Sequence, residues 1–367
     1  MSSFTGKSLL KHYKSTHLEL NNRFVMAPLT RQRASSGLTP SALNALYYGQ
    51  RATAGLIISE ASQISPKGMG YSNTPGIYSK NQVEGWKLVT DAVHRAGGKV
   101  FCQLWHVGRH SHPLLQADGG MPLAPSAVAE PGTITTPGGK VPTVVPLAMS
   151  ADQIRSTVED YAAAASNAMA AGFDGVEIHA ANGYLIEQFL NDNSNQRTDS
   201  YGGSIENKIR FALEVTEAVV QTIGNHRTGI RLSPSGRNFG LNNEQPIATF
   251  ELLLEKLAAF DLAYHHLIEP DFKNLSLLPA QYAKAVAKHF RPLISTTLII
   301  SGGFDFQRAE TVIESGEADL VAFGSYFIAN PDLVKRYQRG AALNAPDIST
   351  YYGGGEKGYT DYPFLND

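Results

Sequence analysis

His179, Asn182 and Tyr184 fall within six positions, directly after the apolar run Gly175-Val176-Glu177-Ile178. An imidazole, an amide and a phenol can all donate or accept hydrogen bonds, and here they stand where a strand gives way to a helix. That junction is where α/β proteins keep their chemistry. Taken singly, each residue reads as packing: a barrel histidine is commonly a satisfied core group, and a tyrosine at a helix start a packed ring with a bonded tip. Their joint placement argues for a site, although the reaction does not follow from these three residues alone.

The elements that must hold them come from short apolar runs: 24–30, 55–61, 99–106, 175–182, 228–234, 264–270, 297–303 and 320–325. Each is continuous rather than alternating, as expected of a strand buried on both faces. Between them lie amphipathic segments with helix-start signals, such as Thr39 before Pro40, and Ser150 with Gln153 as a capping box. Eight strand–helix alternations favour closure into a (β/α)8 TIM barrel over an open doubly wound sheet. Two segments break the rhythm. Residues 16–23 are expected to form an N-terminal hairpin under the barrel floor, turning at Asn21-Asn22. The Gly/Pro-rich stretch 118–148 follows strand 3 and carries a second hairpin around Pro137-Gly138-Gly139, expected to lie over the active face. No repeat or linker interrupts 1–367, which reads as a single domain.

In such a barrel the strand ends converge whatever their sequence distance. They carry Thr30, Ala61, Gln103, Trp105, His106, His179, Asn182, Arg231, Glu269, Gly302, Gly303, Gly324 and Ser325. The glycines of the last two ends suit a phosphate held by backbone N–H groups, although glycine after a strand is commonly plain turn chemistry. Neither a Walker A sequence nor a GxGxxG fingerprint after a strand is present, so the phosphate of a flat cofactor fits better than ATP. His106, His110 and His112 lie close together, but in a glycine-containing stretch leading into a loop, which is a poor frame for zinc; no metal is expected. Cys102 reads as a buried packing residue.

The 367 residues are 43% hydrophobic and carry a net charge of -2, with scattered basic residues, so nothing calls for a nucleic-acid partner. A single cysteine excludes an internal disulfide and fits a cytoplasmic, reducing compartment. Residues 1–7 lack a leader's apolar core, and no run is long enough to cross a bilayer.

Several ordered stretches resemble the old yellow enzyme flavoproteins: "NRFVMAPLTRQRA" (22–34), "YYGQRATAGLIISEASQIS" (47–65), "QLWHVGRHS" (103–111), "GVEIHAANGYLIEQFL" (175–190), "SNQRTDSYGGSIEN" (194–207), "GIRLSP" (229–234), "SGGF" (301–304), "FGSYFIANPDL" (323–333) and "YYGGGEKGYTDYPFL" (351–365). The resemblance implies a barrel holding FMN non-covalently, reduced by NADPH or NADH and reoxidised by an electron-poor alkene. Activated C=C bonds of α,β-unsaturated carbonyl or nitro compounds are the implied substrates, and the same likeness adds nitrate esters and nitroaromatics. His179 and Asn182 then grip the substrate oxygen where charge accumulates, and Tyr184 protonates the α-carbon. Arg231, Thr30 and Gln103 would bond the flavin ring. Pro28 and Ala61 would contact it, and Gly302, Gly303, Gly324 and Ser325 would hold the phosphate end. Tyr71, Trp105 and Tyr352 would line the substrate space. With no further domain in the match, donor and acceptor would share one site in turn, in a monomer or homodimer.

One departure stands out. The family usually has arginine after the glycine of strand 8, paired with the FMN phosphate, where this chain has Ser325. Weaker FMN retention is expected. Two readings of other classes stay open at this point: a metal-dependent barrel lyase or hydrolase using the 106–112 histidines, and a non-catalytic barrel that binds flavin or a phenol.

Overall fold

The computed structural model describes residues 7–366. Residues 1–6, part of the stretch read above for a leader, and 367 lie outside the described residues.

Eight parallel strands close on themselves: β1 (Phe24–Met26), β2 (Leu56–Ile58), β3 (Val100–Trp105), β4 (Gly175–Ala180), β5 (Thr228–Leu232), β6 (Tyr264–Ile268), β7 (Thr297–Ser301) and β8 (Leu320–Phe323). Each pairs with the next, and β8 returns to β1. The uninterrupted apolar runs are explained by two cores. Val100, Cys102 and Leu104 of β3 and Val176, Ile178 and Ala180 of β4 face the helices. Val25, Leu56, Ile58, Phe101, Tyr264, Ile299 and Leu320 fill the barrel interior. Room there is tight: a Cβ on Gly229 would meet the Tyr264 ring at 2.4 Å. Burial also pushes the Cys102 thiol up to about 12, so it is an inert packing group.

Helices between the strands start where side chains satisfy their first N–H groups. The Ser150–Gln153 box caps α3 (Ala151–Ala170) as expected, and Ser79–Gln82 does the same for α2 (Lys80–Arg95). The first helix, α1 (Ala42–Gln50), begins later than Thr39-Pro40 implies. Thr39 is extended, and Ser41 makes the capping box with Asn44 instead. Helix α4 (Ile205–Ile223) follows β4, capped by Ser204.

Both expected hairpins are present. The insertion after β3 pairs Thr133–Thr136 with Gly139–Pro142 across Pro137-Gly138. The N-terminal one pairs Tyr13 with Leu20 and Lys14 with Glu19, and Tyr13, Leu18 and Leu20 plug the barrel floor. Its turn is at residues 15–18, however, and not at Asn21-Asn22, because Asn22 has another task. Its buried Oδ1 accepts from the N–H groups of Phe24 (3.0 Å) and Gly55 (2.9 Å), and its Nδ2 donates to Thr53 O (2.9 Å). Asn22→Ala strands two buried donors and is expected to cost about 2–4 kcal/mol; a urea-denaturation midpoint equal to wild type would contradict this.

Among the described residues no helix is long and apolar enough to cross a membrane.

Candidate active site

Strand register decides which polar side chains meet at the C-terminal end of the barrel. It sets His179 level with Arg231, Arg231 with His266, and Glu177 with Gln103. Gln103, Glu177, His266 and, through Ser301, Arg231 form one buried chain. Gln103 Nε2 donates to Glu177 Oε1 (2.7 Å), and His266 Nδ1 lies 2.8 Å from Glu177 Oε2. Ser301 Oγ is 3.0 Å from His266 Nε2 and accepts from Arg231 Nη2 at 3.3 Å. Burial lowers the pKa of His266 against the pull of Glu177. A neutral His266 with its proton on Nδ1 satisfies every contact, since Ser301 can then donate to Nε2. Arg231 Nε is buried without a partner.

Beyond β4 the chain turns left-handed at Asn182 (φ +57°) and Gly183 (φ +88°), a conformation asparagine and glycine tolerate best. Tyr184 then takes the N-cap position of a short helix, Leu185–Leu190, without a side-chain bond to it. The turn is tied down by its own backbone: Asn182 N–H donates to Ser233 Oγ (2.9 Å), Ser233 Oγ donates to Glu187 Oε1 (2.6 Å), and Gly183 N–H donates to Glu187 Oε2. Of the expected trio, His179 and Tyr184 are brought into ring contact, while Asn182 stands at the turn between them and lines a neighbouring cavity. The His179 ring centre lies 5.1 Å from that of Tyr184, and its Nδ1 is buried with no partner. Desolvation, followed by the charge of Arg231, holds the imidazole well below its ordinary pKa, so it is neutral. Burial and then the neighbouring Tyr71 raise the Tyr184 phenol well above 10. The two phenol oxygens are 3.0 Å apart.

The wall of the space above the trio is aromatic. Tyr71 stacks on Trp105 (5.6 Å, 21°), Trp105 meets Tyr184 edge-on at 4.9 Å, and Ala61 joins the same apolar cluster. Tyr352 stands on the C-terminal loop, 64% exposed, at the rim rather than in the wall. That loop is held by arginines after β1. Arg31 donates to Tyr351 O (2.8 Å) and Gly358 O (2.8 Å), and Arg33 to Thr350 O (2.9 Å) and Gly355 O (3.0 Å). Opposite, Phe239 stacks on His110 at 3.8 Å. A cavity of about 400 Å³ opens beside Asn182 between the loops after β5 and β6, with Arg237 and Leu277 among its lining.

A separate cavity of about 230 Å³ is lined by Pro28, Arg231, Gly302, Gly303, Gly324 and Ser325. The left-handed Gly302 (φ +117°) and Gly303 (φ +72°) leave their backbone uncovered by side chains, and a Cβ on Gly302 would lie 2.6 Å from Glu269 O. Glycine-rich backbone at one end and an orphaned guanidinium nitrogen at the other fit a phosphate-bearing flat ring such as FMN. Thr30 is half-buried after β1, with no side-chain hydrogen bond to the described residues. Arg231 is the only cation of this lining; exposed Ser325 brings no charge.

The 106–112 histidines do not converge. His106 Nδ1 accepts from Gly108 N–H (3.1 Å), His110 pairs with buried Glu130 (2.8 Å), and His112 Nδ1 accepts from Leu114 N–H (3.2 Å). Among the described residues no three His, Cys, Asp or Glu side chains are grouped to hold a metal.

Sequence reasoning missed Glu177, His266, Ser301, Ser233 and Glu187. A signal existed for two of them. Glu177 is two residues before His179 and so shares its face of the strand, and the histidines in "YHHLIEP" are out of place in a buried run unless bonded. Ser301, Ser233 and Glu187 carried none.

Residues 9–344 match the NADH:flavin oxidoreductase / NADH oxidase family. The chain is 46% identical to a probable flavin mononucleotide-dependent alkene reductase of Leishmania infantum, covering 94% of each chain. It is 44% identical to 12-oxophytodienoate reductase 1 of Oryza sativa subsp. japonica, covering 98% of this chain and 93% of that one. Among solved structures, morphinone reductase superposes with a TM-score of 0.93 at 48% identity, covering 99% of this chain and 98% of that one. The old yellow enzyme homologue from Zymomonas mobilis does so with 0.93 at 43%, covering 98% and 100%. With a family match over residues 9–344 and relatives and solved structures similar over nearly the full length, the chain belongs to the NADH:flavin oxidoreductase / NADH oxidase family, the family of the old yellow enzymes.

Proposed function

We propose that this protein is an FMN-dependent NAD(P)H ene-reductase, in which residues 1–367 act as a single barrel domain on electron-poor alkenes. When bound, FMN supplies the hydride, taken from a nicotinamide and delivered to the alkene β-carbon. Pro28, Thr30, Ala61, Gln103 and Arg231 would hold its ring, with the permanent charge of Arg231 available to offset negative charge on it. Gly302, Gly303, Gly324 and Ser325 hold its phosphate end.

The observation that carries this reading is the unpartnered, neutral His179 nitrogen beside a phenol kept fully protonated. His179 and the Asn182 amide donate to the carbonyl or nitro oxygen, which orients the alkene and stabilises the charge that develops there. Tyr184 delivers its proton to the α-carbon. Trp105 and Tyr71 form an apolar wall that excludes water, and Tyr352 meets the substrate at the mouth. The cavity beside Asn182 gives a larger alkene room to extend. Nicotinamide and alkene use this space in turn, giving ping-pong kinetics. A cytoplasmic location follows from the lone thiol, and a monomer or homodimer is proposed.

The test is the visible spectrum of the purified protein, with the cofactor released by heat and identified, followed by anaerobic reduction with NADPH or NADH and reoxidation with cyclohexenone. A colourless protein that gains no flavin spectrum on adding FMN would overturn the reading. A related expectation concerns retention. Arginine in place of Ser325 adds a charge-assisted contact of about 1.5–3 kcal/mol, so Ser325→Arg is expected to tighten FMN binding about tenfold or more. Equal dissociation constants in equilibrium titrations would refute it.

A further inference from the structure

Two consecutive left-handed residues, Asn182 and Gly183, carry the clamp and the proton donor. For a non-glycine residue that conformation persists only where its surroundings over-determine it. Here the surroundings are two side chains. Glu187 is wholly buried; its Oε2 accepts from Gly183 N–H and its Oε1 from the Ser233 hydroxyl at 2.6 Å. Ser233 Oγ in turn accepts from Asn182 N–H at 2.9 Å. With the carboxyl ionised, both bonds run towards it and are charge-assisted; protonated, it can keep the same contacts only as neutral bonds, donating to Ser233 Oγ instead of accepting from it.

We propose that Glu187, acting through Ser233, is a positioning residue of the ene-reductase reaction: it holds the Asn182–Gly183 turn left-handed and thereby sets where the Asn182 amide and the Tyr184 phenol stand relative to His179. The inference rests on the roles given to these residues under Proposed function. The pin spans elements, because Ser233 follows β5 whereas Glu187 lies in the helix after β4. A shift between those strand ends would therefore be transmitted to the reacting groups, where displacements of about 1 Å carry large rate penalties.

A pH signature follows. Burial raises the Glu187 carboxyl to about 7, against the pull of Ser233 and Gly183. Protonation takes the charge out of both bonds and so weakens the pin; the turn loosens as pH falls through that value, and kcat/KM rises with pH through about 7. Glu187 has no ion-pair partner among the described residues. The titratable groups of the surrounding elements are Tyr282 after β6, whose own phenol Glu187 helps to raise, Lys208 of α4, paired with Asp192, and His179 and Arg231 on β4 and β5. Glu60, after β2, is likewise raised to about 7, so a variant is needed to assign the ionisation.

The experiment uses the FMN-loaded full chain and measures anaerobic kcat/KM for cyclohexenone from about pH 5.5 to 8.5, with flavin content and melting temperature recorded for each variant. For Glu187→Gln, which replaces one acceptor by a donor, the expected result is a fall of about tenfold or more at the high-pH end with FMN content intact, and loss of the ionisation near 7. Ser233→Ala, which keeps the carboxylate, is expected to fall in the same direction, and it decides the matter if Glu187→Gln does not fold. The proposal is overturned by a Glu187→Gln enzyme within about twofold of wild type, by persistence of the ionisation in that variant, or by a Ser233→Ala enzyme of unchanged kcat/KM. A wild type that does not turn over cyclohexenone would instead count against the ene-reductase reading itself, so the two failures are distinguishable.

Discussion

Tyr184→Phe is expected to lower alkene turnover by about 10²–10⁴-fold, the range for loss of a positioned general acid, while flavin reduction by NAD(P)H proceeds at its normal rate. The substitution removes one oxygen. The ring keeps its edge contact with Trp105 at 4.9 Å, so the fold and the shape of the site survive. What disappears is the proton source, together with the 3.0 Å contact to Tyr71. The raised pKa fixes the sign of the pH dependence: the phenol stays protonated throughout the neutral range, so proton donation by Tyr184 weakens only on the alkaline side of 10. Separate stopped-flow measurement of flavin reduction and of reoxidation by cyclohexenone checks both halves. Full alkene turnover in the variant would remove Tyr184 from its role.

Truncating the clamp gives a different pattern. His179→Ala is expected to cost about 10²–10³-fold in alkene turnover, the range for deletion of one donor to a developing oxyanion. It is also expected to slow flavin reduction, because donor and acceptor share the space above the same residues. That pairing of effects separates the clamp from the proton donor. The imidazole is held well below its ordinary pKa, so lowering the pH towards 6 does not convert it to imidazolium, and wild-type activity shows no ionisation from His179 across the neutral range. A His179→Ala enzyme with unchanged kcat/KM for cyclohexenone would exclude the oxyanion role.

Much of this site can be read in one dimension because its parts are local. The continuous apolar runs announce strands buried on both faces, and the Ser150–Gln153 box announces a helix start; each depends only on near neighbours. His179, Asn182 and Tyr184 fall on one strand-to-turn junction, so chain connectivity keeps them near one another. Where the local signal misled at the hairpin, a distant partner was the reason. Asn22 looks like a turn residue, yet it is bound to the N–H of Gly55, and the hairpin turns at 15–18 instead. At the first helix the competing signal was itself local: Thr39 precedes a proline, but Ser41, two residues on, finds Asn44 for its box.

What the sequence determined by itself, then, is the set of strands, the Ser150 cap and the chemical types presented at the junction, since these follow from spacing and side-chain chemistry over a few residues. Only the tertiary structure decided how those groups are held. Tyr71 reaches Tyr184 across 113 positions, Glu177 reaches His266 across 89, and Ser233 reaches Glu187 across 46. Such contacts depend on strand register, and a slip of one residue would turn every inward side chain outward. No local pattern encodes that register. It is set by closing eight strands around one packed interior.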